Sequence, residues 1–298
     1  MEAGKPSQTA LLVAILRARH FLEEPEPKIL RDSLAGTLSG MGELSQVRSY
    51  LDGIKAAFAN LSDHETAEKF VRQLEHSVCI RARLVEEELA AAIQVGASQF
   101  VVLGAGLDST AYRETELLRD IAVFEVDHPD SQAWKKERLA QSGIEIPENL
   151  TFVPFDFENT TSEAALSKGG VNRDQTTVFS WLGVHMYLSD EAVKSTLNVL
   201  GGFETGSILV MDFIMPEYDA ASGGEDNSVA DLTKIVAEMR EPFLSQYMPE
   251  ELGERFAAAG FSRGEFPTIK EFSAQFLDGN FERLQMHPNA QYLAIARV

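Results

Sequence analysis

Phe100–Arg113, FVVLGAGLDSTAYR, is the stretch that decides the fold. Four apolar residues, Phe100 to Leu103, read as a short buried parallel strand. Gly104-Ala-Gly106 breaks that strand sharply. Asp108-Ser109 then stands where a helix can begin, with either side chain able to cap free backbone N–H groups. Strand, glycine turn and helix are how open α/β sheets place a ligand at the carboxyl ends of their strands. Gly104 and Gly106 are expected to let a ligand approach the backbone, because glycine carries no Cβ. The same turn excludes two ligand classes. A dinucleotide fingerprint needs a third glycine where Ser109 stands, and a P-loop needs a Gly-Lys-Ser/Thr that is missing.

Outward from the turn, strands and helices alternate. Ala122–Val126 reads as a second buried strand followed at once by Asp127. An acid some twenty residues beyond the glycine turn, at the end of strand two, suits ribose hydroxyls. It equally suits a helix N-cap before Pro129. Residues 130–141 read as a helix. Phe152–Phe155 reads as a third strand with Asp156-Phe157 beyond its end, where Asp156 either reads an adenine edge or serves a turn. Thr177–Trp181 is a fourth strand, Leu182–Leu188 a loop, and Ser189 the cap of a helix that ends at Gly201-Gly202. Ser207–Ile214 is a fifth strand and Gln291–Val298 a final one. Between them the pattern lapses. Residues 217–227 read as a loop, Asp231–Tyr247 as helical, and 217–248 together as an insertion over the ligand site. Pro249–Gly260 is a helix ending at glycine.

Upstream, residues 7–22 read as an amphipathic helix and 28–62 as helical pieces broken by Gly36, Gly40, Gly42 and Gly53. Ala10–Leu16 is too short to span a membrane and lacks the flanks of a signal peptide. Asp63–Val95 is a long helix whose buried stripe is Phe70, Leu74, Val78, Val85 and Leu89. Arg81 falls on that stripe and Arg83 points away from it. A guanidinium there requires a partner: a core carboxylate, or the carboxylate of a ligand held in a bidentate fork.

The chain has 298 residues and a formal charge of −20, which disfavours nucleic acid as a partner. Its single cysteine rules out an internal disulfide and fits a reducing, cytoplasmic setting. No pattern of metal ligands is evident.

The AGLDS-x-AYR block, its spacing to Glu125-x-Asp127, then Asp156 and Met186-Tyr-Leu188 resemble the class I S-adenosylmethionine-dependent methyltransferases. More narrowly they resemble the leucine carboxyl methyltransferase-like group, with its bacterial branch linked to small-molecule O-methylation in secondary metabolism. The resemblance implies a Rossmann-like, seven-stranded, mostly parallel sheet with helices on both faces. It implies a helical cap region at 1–62 and a methyltransferase domain at 63–298 carrying the lid insertion. S-adenosylmethionine is the implied cofactor. Gly104 and Gly106 would contact its methionine part, Asp127 the ribose, Asp156 and Phe157 the adenine, and Arg81 the carboxylate.

Two departures stand out. Ser109-Thr110 replaces the family's common Thr-Arg. Ser180-Trp181-Leu182-Gly183 lacks the glutamate that the eukaryotic phosphatase methylators carry at the end of strand four, which argues against a protein C-terminal leucine as acceptor. The implied activity is O-methyl transfer to a hydroxyl or carboxyl group of a small molecule, without nucleic acid or membrane. Alternatives are carboxyl methylation of a protein or peptide C-terminus, or a noncatalytic nucleoside-binding relative. His185 and Tyr187, polar side chains of the loop after strand four, are the catalytic candidates. His185 is either a general base for a hydroxyl acceptor or a ring turned into the core.

Overall fold

The computed structural model describes residues 7–59, 64–157, 162–216, 242–277, 281–286 and 292–298. Its centre is a seven-stranded sheet in the order β3-β2-β1-β4-β5-β7-β6. The strands are β1 Gln99–Leu103, β2 Ala122–Asp127, β3 Leu150–Pro154, β4 Thr177–Trp181, β5 Ile208–Asp212, β6 Arg263–Glu265 and β7 Leu293–Arg297. The first five run parallel, and β7 joins antiparallel between β5 and β6. The order reverses direction at β1, so the β1–β4 crevice is the switch point where such sheets bind ligands.

Strand pleating sorts alternate residues onto two cores. Phe100, Val102, Val123, Val178 and Val210 face one; Val101, Leu103, Val126, Phe179, Trp181 and Met211 face the other. The first core is covered by α1 Gln8–Glu23, α2 Ala35–Ser39, α3 Leu44–Ala59 and α4 His64–Gln94. The turn-helix α5 Thr110–Arg113 and α6 Pro129–Gln141 complete that side. The second core is covered by α7 Ser162–Gly169, α8 Asp190–Leu200 and α9 Pro249–Ala259. A short helix α10, Ile269–Ser273, precedes β7. Along α4 the expected stripe is inward: Phe70, Val78, Val85 and Leu89 are buried and Leu74 is partly so.

The sequence reading differs from the structure in four places. Gly36 and Gly53 lie inside α2 and α3, and only Gly40, with φ 80°, ends a helix. Helix α7 and strand β6 were not anticipated; β6 is three polar or small residues, Arg-Gly-Glu, held by pairing to β7 rather than by an apolar pattern. Of the proposed 217–248 insertion, 217–241 lies outside the described residues. Within the helix expected at 231–247, residues 242–247 are not helical. Pro242 lacks an N–H, and the donors that follow reach other loops: Leu244 and Ser245 to Met186 O, Tyr247 to Ile214 O.

Candidate active site

The candidate residues lie at the carboxyl ends of β1, β2, β3 and β4, and Arg81 of α4 reaches those of β4 and β5. Gly104 and Gly106 take φ of 68° and 45°, a left-handed backbone that side-chain-bearing residues avoid. The N–H groups of Gly104 and Ala105 donate to Val126 O at 2.7 and 3.2 Å, pinning the turn to the end of β2. Gly106 N–H donates to Asp127 Oδ2 at 2.5 Å, and His128 N–H to Asp127 Oδ1 at 2.6 Å. Burial pushes the Asp127 carboxyl above its usual range, and these two N–H groups oppose the shift. At the helix start it is Asp108, not Ser109, that caps: Asp108 Oδ1 accepts from Thr110 N–H at 2.8 Å.

The space a Cβ would fill is taken by the chain itself at Gly104, and at Gly106 it is open to ordinary contact. A Cβ on Gly104 would lie 2.2 Å from Val184 Cγ2, and one on Gly106 3.4 Å from Ala10 Cβ. The β4 loop closes on the turn: at Gly104 the missing Cβ is what admits Val184.

Arg81 reaches the ends of β4 and β5, and Nη1 donates to Asp212 Oδ2. Asp212 Oδ1 accepts from Gly183 N–H at 2.7 Å. Sequence reasoning missed Asp212, which lay unremarked inside the strand read over Ser207–Ile214 and in the structure ends β5. It also missed Arg17. This buried side chain donates from Nη2 to Leu107 O at 2.7 Å, with Nε 3.5 Å from Asp32 Oδ2. In sequence it looked like the charged end of an apolar run.

At the end of β3, Asp156 and Phe157 are half-buried. The Phe157 ring meets Phe155 edge-on at 4.5 Å and lies nearly parallel to Trp181 at 6.2 Å. After β4, residues His185–Tyr187 form a 3-10 turn. Tyr187 is half-buried against the ring of Phe243. The His185 ring is turned into the core, 0% exposed, between Trp181 at 6.0 Å and Tyr247 at 5.9 Å. Neither of its nitrogens has a hydrogen-bond partner among the described residues. Burial lowers its pKa from 6.5 to about 4, with Asp212 pulling weakly the other way. The catalytic expectation for His185 thus meets a ring sealed under residues 244–247, tied down through Ser245 Oγ to His185 O at 2.7 Å.

Away from these strand ends, His20, Glu75 and His76 form a buried cluster between α1 and α4. Its polarity does not suit a cation. His20 Nε2 accepts from Ile29 and Leu30 N–H at 3.2 and 3.4 Å, so the ring proton sits on Nδ1, the atom facing Glu75. Metal-bound imidazoles instead donate from their second nitrogen.

Comparison with known proteins carries the same theme. The leucine carboxyl methyltransferase family profile matches residues 10–201. YktD of Bacillus subtilis (strain 168), named for S-adenosyl-L-methionine-dependent methyl transfer, is 30% identical over 98% of both chains. A Mycobacterium marinum protein named for the same activity is 27% identical over 73% of this chain and 69% of its own. A crystal structure from Thermobifida fusca YX, described as a methyltransferase, shares the fold at a TM-score of 0.56. It is 18% identical and covers 99% of this chain and 96% of that one. A profile spanning more than half of the sequence and a relative aligned end to end agree: the chain belongs to the leucine carboxyl methyltransferase family and is an S-adenosylmethionine-dependent methyltransferase.

Proposed function

We propose that this methyltransferase acts on a carboxylate oxygen of a small metabolite. The donor set at the strand ends suits S-adenosylmethionine: an acid on β2 for ribose hydroxyls and a guanidinium from α4 for a carboxylate. We assign the ribose to Asp127, the methionine part to the Gly104–Gly106 turn, the adenine to Asp156 and Phe157, and the carboxylate to Arg81. The cofactor supplies a methyl group already activated for displacement. The chain's own work is to align the acceptor and exclude water, which is worth on the order of 7–11 kcal/mol.

The burial of His185 carries the choice of acceptor. A carboxylate is ionised at neutral pH and needs no base, whereas a hydroxyl must lose a proton. An imidazole with a pKa of about 4, sealed from the surface, is a poor match for that task. Tyr187, half-buried beside it, is left to orient the acceptor by hydrogen bonding.

The test is a panel of small carboxylic acids, alcohols, phenols and peptides with free C-termini, offered with isotopically labelled methyl donor. A methyl ester releases its label as methanol in mild base, and a methyl ether keeps it. We expect label on small acids, lost in base, and a rate for His185→Gln within about threefold of wild type. Base-stable label would move the acceptor to a hydroxyl. Label on peptides alone would move it to a protein C-terminus.

A further inference from the structure

Arg81 and Asp212 form an ion pair whose two halves come from distant parts of the chain, α4 and the last residue of β5. Their side chains are 12% and 5% exposed, and they sit where β4 gives way to its loop. The pair is built into that loop. Asp212 Oδ1 holds Gly183 N–H, and the guanidinium lies so close to Gly183 that a Cβ there would be 3.0 Å from Nη2. The next residue, Val184, rests on Gly104 of the glycine turn. Cation and anion thus stand side by side at the carboxyl ends of β4 and β5, joined to the glycine turn of the switch point through Val184.

Neither group is saturated. A guanidinium has five N–H donors, and among the described residues Arg81 uses Nη1 on Asp212. A carboxylate has about four acceptor sites, of which Asp212 uses one for Gly183 and one for Arg81. What remains is a set of donors on a cation beside a set of acceptors on an anion. A ligand that satisfies both carries a carboxylate and an ammonium on one carbon. Without ligand the pair neutralises itself, which avoids leaving a lone charge in a mostly buried position.

We propose that Asp212 receives the ammonium of the cofactor's α-amino-acid end, beside the carboxylate assigned above to Arg81. This rests on the S-adenosylmethionine site proposed above and adds Asp212 to it. The simpler reading is that the pair only fastens α4 to the sheet, and the two readings differ in what they demand of the ligand.

Titration calorimetry on the full chain separates them with three unreactive probes: S-adenosylhomocysteine, its desamino analogue and its decarboxylated analogue. Wild type should bind each truncated probe about tenfold or more weakly than the intact one, the size expected for a lost charge-assisted bond. Asp212→Asn should bind S-adenosylhomocysteine and the decarboxylated probe about tenfold more weakly than wild type does, and the desamino probe equally well. Arg81→Lys should show the mirror pattern, because an ammonium cannot reproduce the fork. Equal wild-type affinity for intact and desamino probes overturns the proposal, and this needs no variant to fold. So does Asp212→Asn weakening all three probes alike. If wild type binds none of them, the cofactor site itself is misassigned, which is a separate failure.

Discussion

The imidazole of His185 is a buried polar ring with no hydrogen-bond partner among the described residues, and that has a measurable consequence. The unfolded chain takes up a proton here near 6.5 and the folded chain only near 4. Between those values the unfolded state binds more protons. This contribution to stability is therefore complete above about pH 6.5 and is lost as the pH falls towards 4. At pH 5 the loss is about 2 kcal/mol. His185→Phe keeps an aromatic ring beside Trp181 and Tyr247 and removes the titration. Urea unfolding of wild type and variant at pH 5 and 7.5 should show the variant relatively more stable at the lower pH by about that amount. Parallel pH profiles would mean that the ring is reached by water in solution. The sequence left the inward turn of His185 as one of two readings, because the choice depends on Tyr247, which packs on it from far along the chain. Arg81 was legible, since helical periodicity marks a charge on an apolar stripe. Its partner Asp212 was not, since nothing local distinguishes a strand-ending acid that caps a loop from one that faces water.

At the scale of elements, the glycine turn is held from three sides: Val126 O beneath it, Val184 over Gly104, and α1 across Leu107. The turn and its strand could be read directly from FVVLGAG, because a short apolar run ended by glycines has few other solutions. The brace from α1 could not, because Arg17 in isolation is an ordinary basic residue. From α1 it donates to the turn's backbone, and it pairs with the buried Asp32. Replacing it by Met removes the donor to Leu107 O and leaves Asp32 with less compensation. We expect a loss of about 3–5 kcal/mol, the range for removing one partner of a buried pair. Binding of S-adenosylhomocysteine should also weaken, because the turn loses its outer support. The exposed Arg31, paired with Glu26 at the surface, is the control, and Arg31→Met should change stability by less than about 1 kcal/mol. A destabilised Arg17→Met with unchanged affinity would show that α1 supports the fold without shaping the turn.

Over the whole molecule, the six strands read from the sequence all exist, since each is an apolar run bounded by turn residues. The seventh, β6, has no such pattern and owes its place to pairing with β7. Division of the chain into a cap at 1–62 and a domain from 63 onward has a physical difficulty. Leu12, Ile15, Leu16, Leu38, Val47 and Leu51 lie in the same core as Val71 and Val78 of α4 and Val102 and Val210 of the sheet. The buried polar groups between α1 and α4 add to the tie, with Arg19 Nε 3.3 Å from Glu75 and His20 beside the same carboxylate. A core shared in this way unfolds as a unit, because removing either half exposes the apolar face of the other. Calorimetry of the full chain should therefore give one endotherm with a van't Hoff enthalpy matching the calorimetric one. The 63–298 fragment should neither unfold cooperatively nor bind S-adenosylhomocysteine, since it lacks both the cover of α4 and the Arg17 brace on the glycine turn. Two resolved transitions, or a fragment that folds and binds, would establish the N-terminal helices as a separable cap.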